Sequence, residues 1–426
     1  MNLKNITERF TFLLNRIRER LWVRPLVICL LSIAGVFVAK AVDEKGLFFI
    51  PLFVTADSLA TILSIMASSM LVIAIFSVSS MVAAYASASG TATPRSFPLV
   101  IADDTSQNAL STFLGAFIFS IVALIALKND YVDAAGRFVL FTLTMIVFAV
   151  VVLTFVRWVD SVARLGRLGT TIDMVENATA AALSKRRKAP RLHGVNVTSA
   201  GGRPVFPSTV GYVQRLDVSA LQAYAEKIQG RILVSALPGT FAFPGRALAW
   251  IISEGESSAE DESAIVAKAF MIGTYRLFDE DPRFGLVVLS EIAGRALSPA
   301  VNDPGTAIDI IGRLVRLLVL WSESISDGDV ESSSFDRIEV PELQSDDLFD
   351  DAFTAIARDG AGLVEVGTRL QKALASLSLV GDMPMRSAAI RHARLALARA
   401  EQEMKLQEDL SVLRHLAKFA TNESKT

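Results

Sequence analysis

The sequence predicts an α-helical membrane domain of four transmembrane helices, followed by a cytoplasmic α+β domain with a small β module and a helical C-terminal part. Three observations lead to this fold class. The chain has 426 residues, 52% of them hydrophobic, with a mean hydropathy of +0.44, and the apolar excess lies before residue 160. A Pro- and Gly-rich stretch with alternating apolar residues follows, and later segments return to the three- and four-residue apolar spacing of helices.

Four apolar runs define the predicted transmembrane domain, residues 1–159. A helix needs about 20 apolar residues to cross the hydrocarbon core, and each run reaches or approaches that length. The predicted spans are about 26–42, 59–86, 109–127 and 138–159. The first run follows an arginine-rich arm and has no small-residue cleavage site, which favours a retained anchor over a secretory signal.

The basic residues predict the orientation of the spans. The N-terminal arm is rich in arginine, and the segment after the fourth run contains Arg157, Arg164, Arg167 and the cluster "KRRK" at 185–188. Basic residues close to membrane ends stay in the cytoplasm, so both termini are expected there. We interpret the cluster as a topology signal or a contact with anionic lipid. The net charge of −2 argues against nucleic acid as a partner.

Residues 160–207 are predicted to be a helical connector and loop, and residues 208–258 a small β-rich module. "STVGYVQRLD" and "RILVSAL" have strand patterns, and the helix between them has Asp217 or Ser219 as its cap. Two Pro-Gly turns around "FAF" suggest a small curved barrel like those that hold lipoyl or biotinyl groups. The lysine that would bear such a group is missing, so a structural module without a cofactor is expected.

Residues 259–426 are predicted to be a helical cytoplasmic domain. "DESAIVAKAFMIGTYRLF" has a helical pattern, and further helices are expected over 282–297 and 304–321. Asp281-Pro282 and Asp303-Pro304 suit helix starts, because Asp accepts from first-turn amides and Pro needs no amide there. The acidic, Ser-rich segment at about 322–347 is expected to be an exposed loop, with core or self-association helices after it.

The stretch "RALSPAVNDP" between two predicted helices is a candidate cytoplasmic motif. In a structural interpretation, Arg295 pairs with Glu291, and the Ser298 and Asn302 side chains bond to the backbone. In a functional interpretation, the motif binds an anion or a partner loop at the positive end of the following helix. The candidate residues are Arg295, Ser298, Asn302, Asp303 and Pro304.

The second apolar run is rich in hydroxyl side chains. Such residues allow close helix packing in lipid, and they also suit the wall of a water-filled path built by several copies of the chain. The candidate pore or packing residues are Thr61, Ser64, Ser68, Ser69, Ser77 and Ser80. The loop after this run is a candidate cytoplasmic mouth or elbow, or an interfacial connection in which Arg95 reaches lipid phosphate. Its candidate residues are Pro94, Arg95, Asp103 and Asp104.

Sequence motifs for catalysis are not found. The three histidines have no partner at ligand spacing and the single cysteine, Cys29, lies in the first apolar run, which argues against a His/Cys metal site. The chain has no P-loop, nucleophile elbow or dinucleotide fingerprint. We therefore assign no catalytic residue, no metal and no cofactor, and an enzyme is the least favoured class.

Four segments of the chain resemble a known bacterial family of predicted membrane proteins, domain of unknown function 2254. They are "PRSFPLVIADDTSQNALSTFLGAFIFS", "GYVQRLD", "PGTFAFPGRAL" and "DEDPRFGLVVLSEIAGRALSPAVNDPGTAI". The resemblance covers nearly the whole chain. It implies a bacterial inner-membrane protein with an N-terminal membrane domain and a cytoplasmic C-terminal domain, and it supplies no activity.

Three classes of function follow from these observations. The favoured class is an oligomeric channel or transporter with a cytoplasmic regulatory domain. A membrane-anchored sensor or scaffold without transport is the first alternative, and a membrane-bound enzyme is the second. The expected partners are the lipid bilayer, further copies of the chain and, as the candidate solute, an inorganic ion.

Overall fold

The computed structural model describes residues 30, 34, 55–101, 104–162, 164, 167–198, 200–253, 259–323 and 334–421. The chain divides into two compact units, Met1–Thr171 and Ile172–Thr426. We call them the membrane unit and the C-terminal unit.

The described part of the membrane unit contains three long apolar helices: α1 (Ala56–Thr91), α3 (Asp104–Lys128) and α4 (Ala134–Val162). By length and composition, each is able to cross a membrane. They correspond to the second, third and fourth predicted spans. The first, 26–42, lies outside the described residues apart from positions 30 and 34, so three candidate spans are observed where four were predicted.

Helix packing in the membrane unit buries two groups of side chains. Leu59 and Leu63 of α1 pack with Phe119 of α3 in one, and Phe113 and Trp158 lie in the other. The outer face of α4 instead exposes large apolar side chains, namely Ile146, Leu153 and Val156. Such a face suits contact with lipid, as expected for a membrane-spanning helix.

The strands of the C-terminal unit extend well beyond the predicted module 208–258. They are β1 (Arg203–Val205), β2 (Gly211–Leu216), β3 (Arg231–Val234), β4 (Phe241–Ala242), β5 (Ala249–Ile252), β6 (Phe270–Gly273) and β7 (Ile338–Glu339). The described strands form two sheets, with orders β1-β5-β3-β7 and β4-β2-β6, instead of the suggested barrel. Among these described strands, β3 pairs with β7 in parallel and the other pairs are antiparallel.

The short helix α2 (Phe97–Ile101) lies between α1 and α3 along the chain. The helices of the C-terminal unit begin with α5, whose first residues belong to the membrane unit. They are α5 (Leu168–Lys188), α6 (Val218–Lys227), α7 (Ala259–Lys268), α8 (Pro282–Ala296), α9 (Pro304–Ser322), α10 (Ser345–Asp359), α11 (Val364–Leu377), α12 (Met383–Glu403), α13 (Gln407–Leu416) and α14 (Lys418–Thr421). The helix predicted through "AFMIGTYRLF" ends at Lys268, because Phe270–Gly273 pairs with β2.

The acidic loop predicted at about 322–347 includes residues near its C-terminal end that form regular structure. Residues 334–344 include β7, and Glu339 is fully buried. Its carboxylate accepts hydrogen bonds from the backbone N and the Oγ1 of Thr198, both at 2.9 Å, and from Nη1 of Arg231 at 2.9 Å. These bonds offset the cost of burying the charge and fix the segment against the sheet.

Candidate functional site

The hydroxyl side chains of α1 divide between two environments. Ser77 is fully buried and donates to the carbonyl of Ile73 at 2.9 Å, so it serves helix packing. Ser80 is half-buried. The other four candidates, Thr61, Ser64, Ser68 and Ser69, are exposed in the single chain.

Asp57, Thr61, Ser64 and Ser68 form one row along the exposed face of α1, because they are spaced by three or four residues. Thr61 Oγ1 donates to the Asp57 carbonyl at 2.8 Å, and Ser68 Oγ donates to the Ser64 carbonyl at 2.9 Å. A hydroxyl that donates its proton keeps two lone pairs for accepting. This row therefore presents acceptor oxygens that follow the Asp57 carboxylate along α1. Sequence analysis did not single out Asp57 as a member of the row.

The connection after α1 is a tightly bonded elbow. Pro94 and Arg95 are exposed in a single 3-10 turn, and Ser96 Oγ donates to the Thr93 carbonyl at 2.7 Å. The side chain of Gln107, which is almost fully buried, donates to the carbonyl of Ile101 at 2.9 Å. Asp103 lies outside the described residues, and Asp104 begins α3. Sequence reasoning missed Gln107, whose bond closes the elbow.

The candidate cytoplasmic motif forms the joint between α8 and α9. Arg295 and Asn302 are exposed, and Ser298 Oγ donates to the Arg295 carbonyl at 2.7 Å. Asn302 has a φ of 51°, a left-handed conformation that Asn tolerates better than most residues. The backbone amide of Asn302 donates to the Ser298 carbonyl at 2.8 Å, and the backbone amide of Asp303 donates to the Ala296 carbonyl at 2.8 Å. The contacts support the structural interpretation of Ser298 and Asp303.

Asp303 caps α9 as predicted, with Pro304 as the first helical residue. Its Oδ1 accepts from the Thr306 amide at 3.1 Å, and its Oδ2 accepts from the Thr306 hydroxyl at 2.6 Å. These two bonds hold the pKa of the Asp303 carboxyl below its ordinary value.

We expect Asp303→Ala to lower the unfolding free energy by about 1 kcal/mol, and Asp303→Asn or Ser to have little effect, because both still accept from the first-turn amides. Since the folded-state pKa is depressed, the carboxylate stabilises the fold above its ordinary pKa and loses that effect as pH falls through the folded value. Urea unfolding of the detergent-solubilised chain measures the series. Equal losses for Ala and Asn would contradict a capping role.

Helix α5 is fastened to both helices that meet at the joint. Arg313 of α9 binds Asp173 and Glu176 of α5 at 2.5 and 2.6 Å, and Arg316 binds Glu176 at 2.8 Å. On the other side, Gly285 of α8 lies so close to α5 that a Cβ there would stand 1.8 Å from Thr179 Oγ1.

Part of the basic cluster at the end of α5 is engaged by other residues of the C-terminal unit. Arg186 is 3% exposed and donates to the Glu280 carbonyl at 3.1 Å. Lys185 pairs with the Glu280 carboxylate at 3.5 Å, and Arg187 pairs with Glu323 at 3.6 Å. Lys185 and Lys188 are exposed. Arg186 and Arg187 therefore help to fix α5 within the C-terminal unit.

His392 fits a structural role. His392 is buried, with its Nε2 3.0 Å from Asp350 Oδ1 and its ring against Phe349 and Phe353. Burial lowers its pKa, so the neutral imidazole is the stable form at neutral pH. Among the described residues, no group of three His, Cys, Asp or Glu side chains is arranged to hold a metal ion.

Comparisons with known proteins give a family and no activity. A family profile described as "Predicted membrane protein (DUF2254)" matches residues 18–376. Uncharacterized proteins of Mycobacterium tuberculosis and Mycobacterium bovis are each 32% identical to the chain over 128 residues, which is 29% of this chain. The match covers 25% of the length of either relative. No solved structure matches the chain.

Proposed function

Because this chain belongs to the DUF2254 family of predicted membrane proteins, we propose that it is an oligomeric channel or transporter of the bacterial inner membrane, with a regulatory C-terminal unit in the cytoplasm. The inorganic ion it conducts is a cation. Both termini lie in the cytoplasm, as the basic flanks of the spans indicate. An alkaline phosphatase fused after Thr426 is accordingly expected to be inactive in cells, and periplasmic activity would overturn this orientation.

The row Asp57, Thr61, Ser64 and Ser68 supports the cation proposal. Its oxygens are acceptors, since the Thr61 and Ser68 protons are already donated to carbonyls of α1. Oxygen acceptors replace the water around a cation and do little for an anion. A carboxylate at the start of the row attracts cations to the mouth of the path. One chain has too few spans to enclose a pore, so the row lines a path only when several copies assemble.

Cation flux tests this proposal. We expect the purified chain in planar bilayers to conduct cations over anions, and Asp57→Asn to reduce cation conductance up to about tenfold by removing the charge at the mouth. Thr61→Val should also reduce conductance, because it removes an acceptor from the row.

Thr142→Val is the matched control for that experiment. Thr142 is also an exposed hydroxyl whose Oγ1 donates to a carbonyl of its own helix, here Phe138 of α4 at 3.0 Å. Its replacement should leave conductance unchanged. A chain that stays silent when native mass spectrometry shows an assembled oligomer would overturn the channel proposal.

A sensor or scaffold without transport is the second candidate, and the attachment of α5 favours it. This helix starts six residues after Val162, the last residue of α4, and it is fastened to α8 and α9 by the contacts described above. Such an attachment fits a C-terminal unit that is anchored at the membrane for a role of its own. Bilayers that remain impermeable, with an intact oligomer present, would favour this candidate.

A further inference from the structure

The joint between α8 and α9 lies at the end of the C-terminal unit where the chain enters it. Helix α9 runs parallel to α5, since Arg313 meets Glu176 and Glu323 meets Arg187 further along both helices. Helix α8 runs antiparallel to α5, since Glu280 meets Arg186 and Gly285 approaches Thr179. The end of α8 and the start of α9 are therefore beside the start of α5.

The joint reaches at least as far as the first residue of α5. Pro304 precedes Arg313 by nine residues, about 14 Å along the helix axis. Leu168 precedes Asp173 by five residues, about 8 Å along its own axis. Since Arg313 and Asp173 are in contact, residues 299–302, which we call the joint tip, stand level with Leu168 or slightly beyond it.

The connection between α4 and α5 is short. Five residues, 163–167, separate Leu168 from Val162, the last residue of the membrane-spanning helix α4. Even fully extended, such a connection covers no more than about 20 Å. Tethering of this kind gives a high effective concentration, which raises the population of a weak contact with the membrane.

The joint tip presents apolar side chains on a fixed turn. Pro299, Ala300 and Val301 are exposed, with Val301 51% exposed. The turn is held by the bonds described above from the Asn302 amide to the Ser298 carbonyl and from the Asp303 amide to the Ala296 carbonyl. A turn that is already ordered loses little conformational entropy when its exposed side chains are covered.

We propose that the joint tip rests in the lipid headgroup layer of the membrane that the chain spans, with Val301 as its deepest residue. The occupant of this surface is lipid, because lipid is what the short connection places beside it. The proposal depends on membrane anchoring and is independent of whether the chain transports an ion.

Fluorescence quenching by labelled lipid tests the proposal. The full chain, with Cys29→Ser and Val301→Cys, carries an environment-sensitive fluorophore at position 301 in nanodiscs of phosphatidylcholine and phosphatidylglycerol. Addition of lipids with a nitroxide near the headgroup should quench this fluorophore several-fold and its emission should be blue-shifted. Circular dichroism of the labelled chain confirms that it is folded.

Leu379→Cys provides the matched control. Leu379 is 78% exposed at the turn between α11 and α12. That turn is at the opposite end of α9, because a Cβ at Gly381 would stand 3.2 Å from the Cβ of Ser322, the last residue of α9. Its fluorophore should not be quenched. Equal quenching at both positions, or a blue-shifted label at position 301 that nitroxide lipid does not quench, would overturn the proposal; the second result indicates a protein partner.

Discussion

Gly285→Ala is expected to lower the unfolding free energy of the C-terminal unit by about 3 kcal/mol, a large effect for one added methyl group. The new Cβ would stand 1.8 Å from Oγ1 and 2.7 Å from Cβ of Thr179. Thr179 is almost fully buried in α5, and its branched side chain has few alternative rotamers in a helix. Helices α5 and α8 must therefore separate to accommodate the methyl group.

Two further variants separate this clash from a general effect of replacing glycine. Gly169→Ala adds the same methyl to α5 at a position with no other atom within 4 Å, so it should be neutral or stabilise by up to about 1 kcal/mol. The double variant Gly285→Ala, Thr179→Gly moves the small residue to α5. It should recover most of the loss, less the cost of about 1 kcal/mol for glycine inside a helix.

Urea unfolding of the detergent-solubilised chain measures the global effect, and hydrogen–deuterium exchange of peptides from α5 and α8 localises it. Exchange should increase in both helices for Gly285→Ala and in neither for Gly169→Ala. If Gly285→Ala unfolded like the unmodified chain, the close approach of α5 and α8 would be incorrect.

Local signals in the sequence predicted the helix starts well. Asp217, Asp281 and Asp303 each accept a hydrogen bond from an amide in the first turn of the helix that they precede. Capping depends on residues within one turn, so a single sequence contains all the information needed. The candidate membrane-spanning helices α1, α3 and α4 were predictable for the same reason, since length and hydropathy decide them.

Strands that depend on distant partners were not predicted. Phe270–Gly273 continues an apolar helical pattern, and becomes β6 only because β2 offers it backbone partners. Ile338–Glu339 lies in an acidic segment, yet Glu339 is buried because Thr198 and Arg231 lie where they can bond to it. Neither contact can be predicted from the local sequence pattern. In both segments, contacts with distant residues override the local preference.

The candidate site shows the same limit. Helical spacing correctly places Thr61, Ser64 and Ser68 on one face of α1, but spacing alone cannot tell that this face is exposed whereas Ser77 is buried. For the motif between α8 and α9, the cap at Asp303 was predictable. The position of the joint beside the start of α5 depends on ion pairs of Arg313 with residues about 140 positions earlier, which the sequence does not reveal.

Arg186→Ala is expected to lower the unfolding free energy by about 2 to 4 kcal/mol, although Arg186 belongs to a basic cluster of the kind usually found at the membrane surface. The side chain is 3% exposed, and its loss leaves a cavity and an unpaired Glu280 carbonyl. Burial lowers the pKa of the Arg186 guanidinium, while Glu280 and Asp281 oppose that shift. The charge is thus held at a cost that its neighbours partly offset.

Arg186→Met and Lys188→Ala turn this expectation into a test of the role of the cluster. Methionine keeps most of the buried volume without the charge, so its loss should be smaller than that of alanine if packing dominates. Lys188 is exposed, so its replacement should stay within about 0.5 kcal/mol of the unmodified chain. Urea unfolding in detergent with and without phosphatidylglycerol measures all three. If the cluster bound lipid, Arg186→Ala and Lys188→Ala would cause similar losses that appear only with the anionic lipid; if it fixes α5, only the Arg186 variants lose stability, and they do so in both conditions.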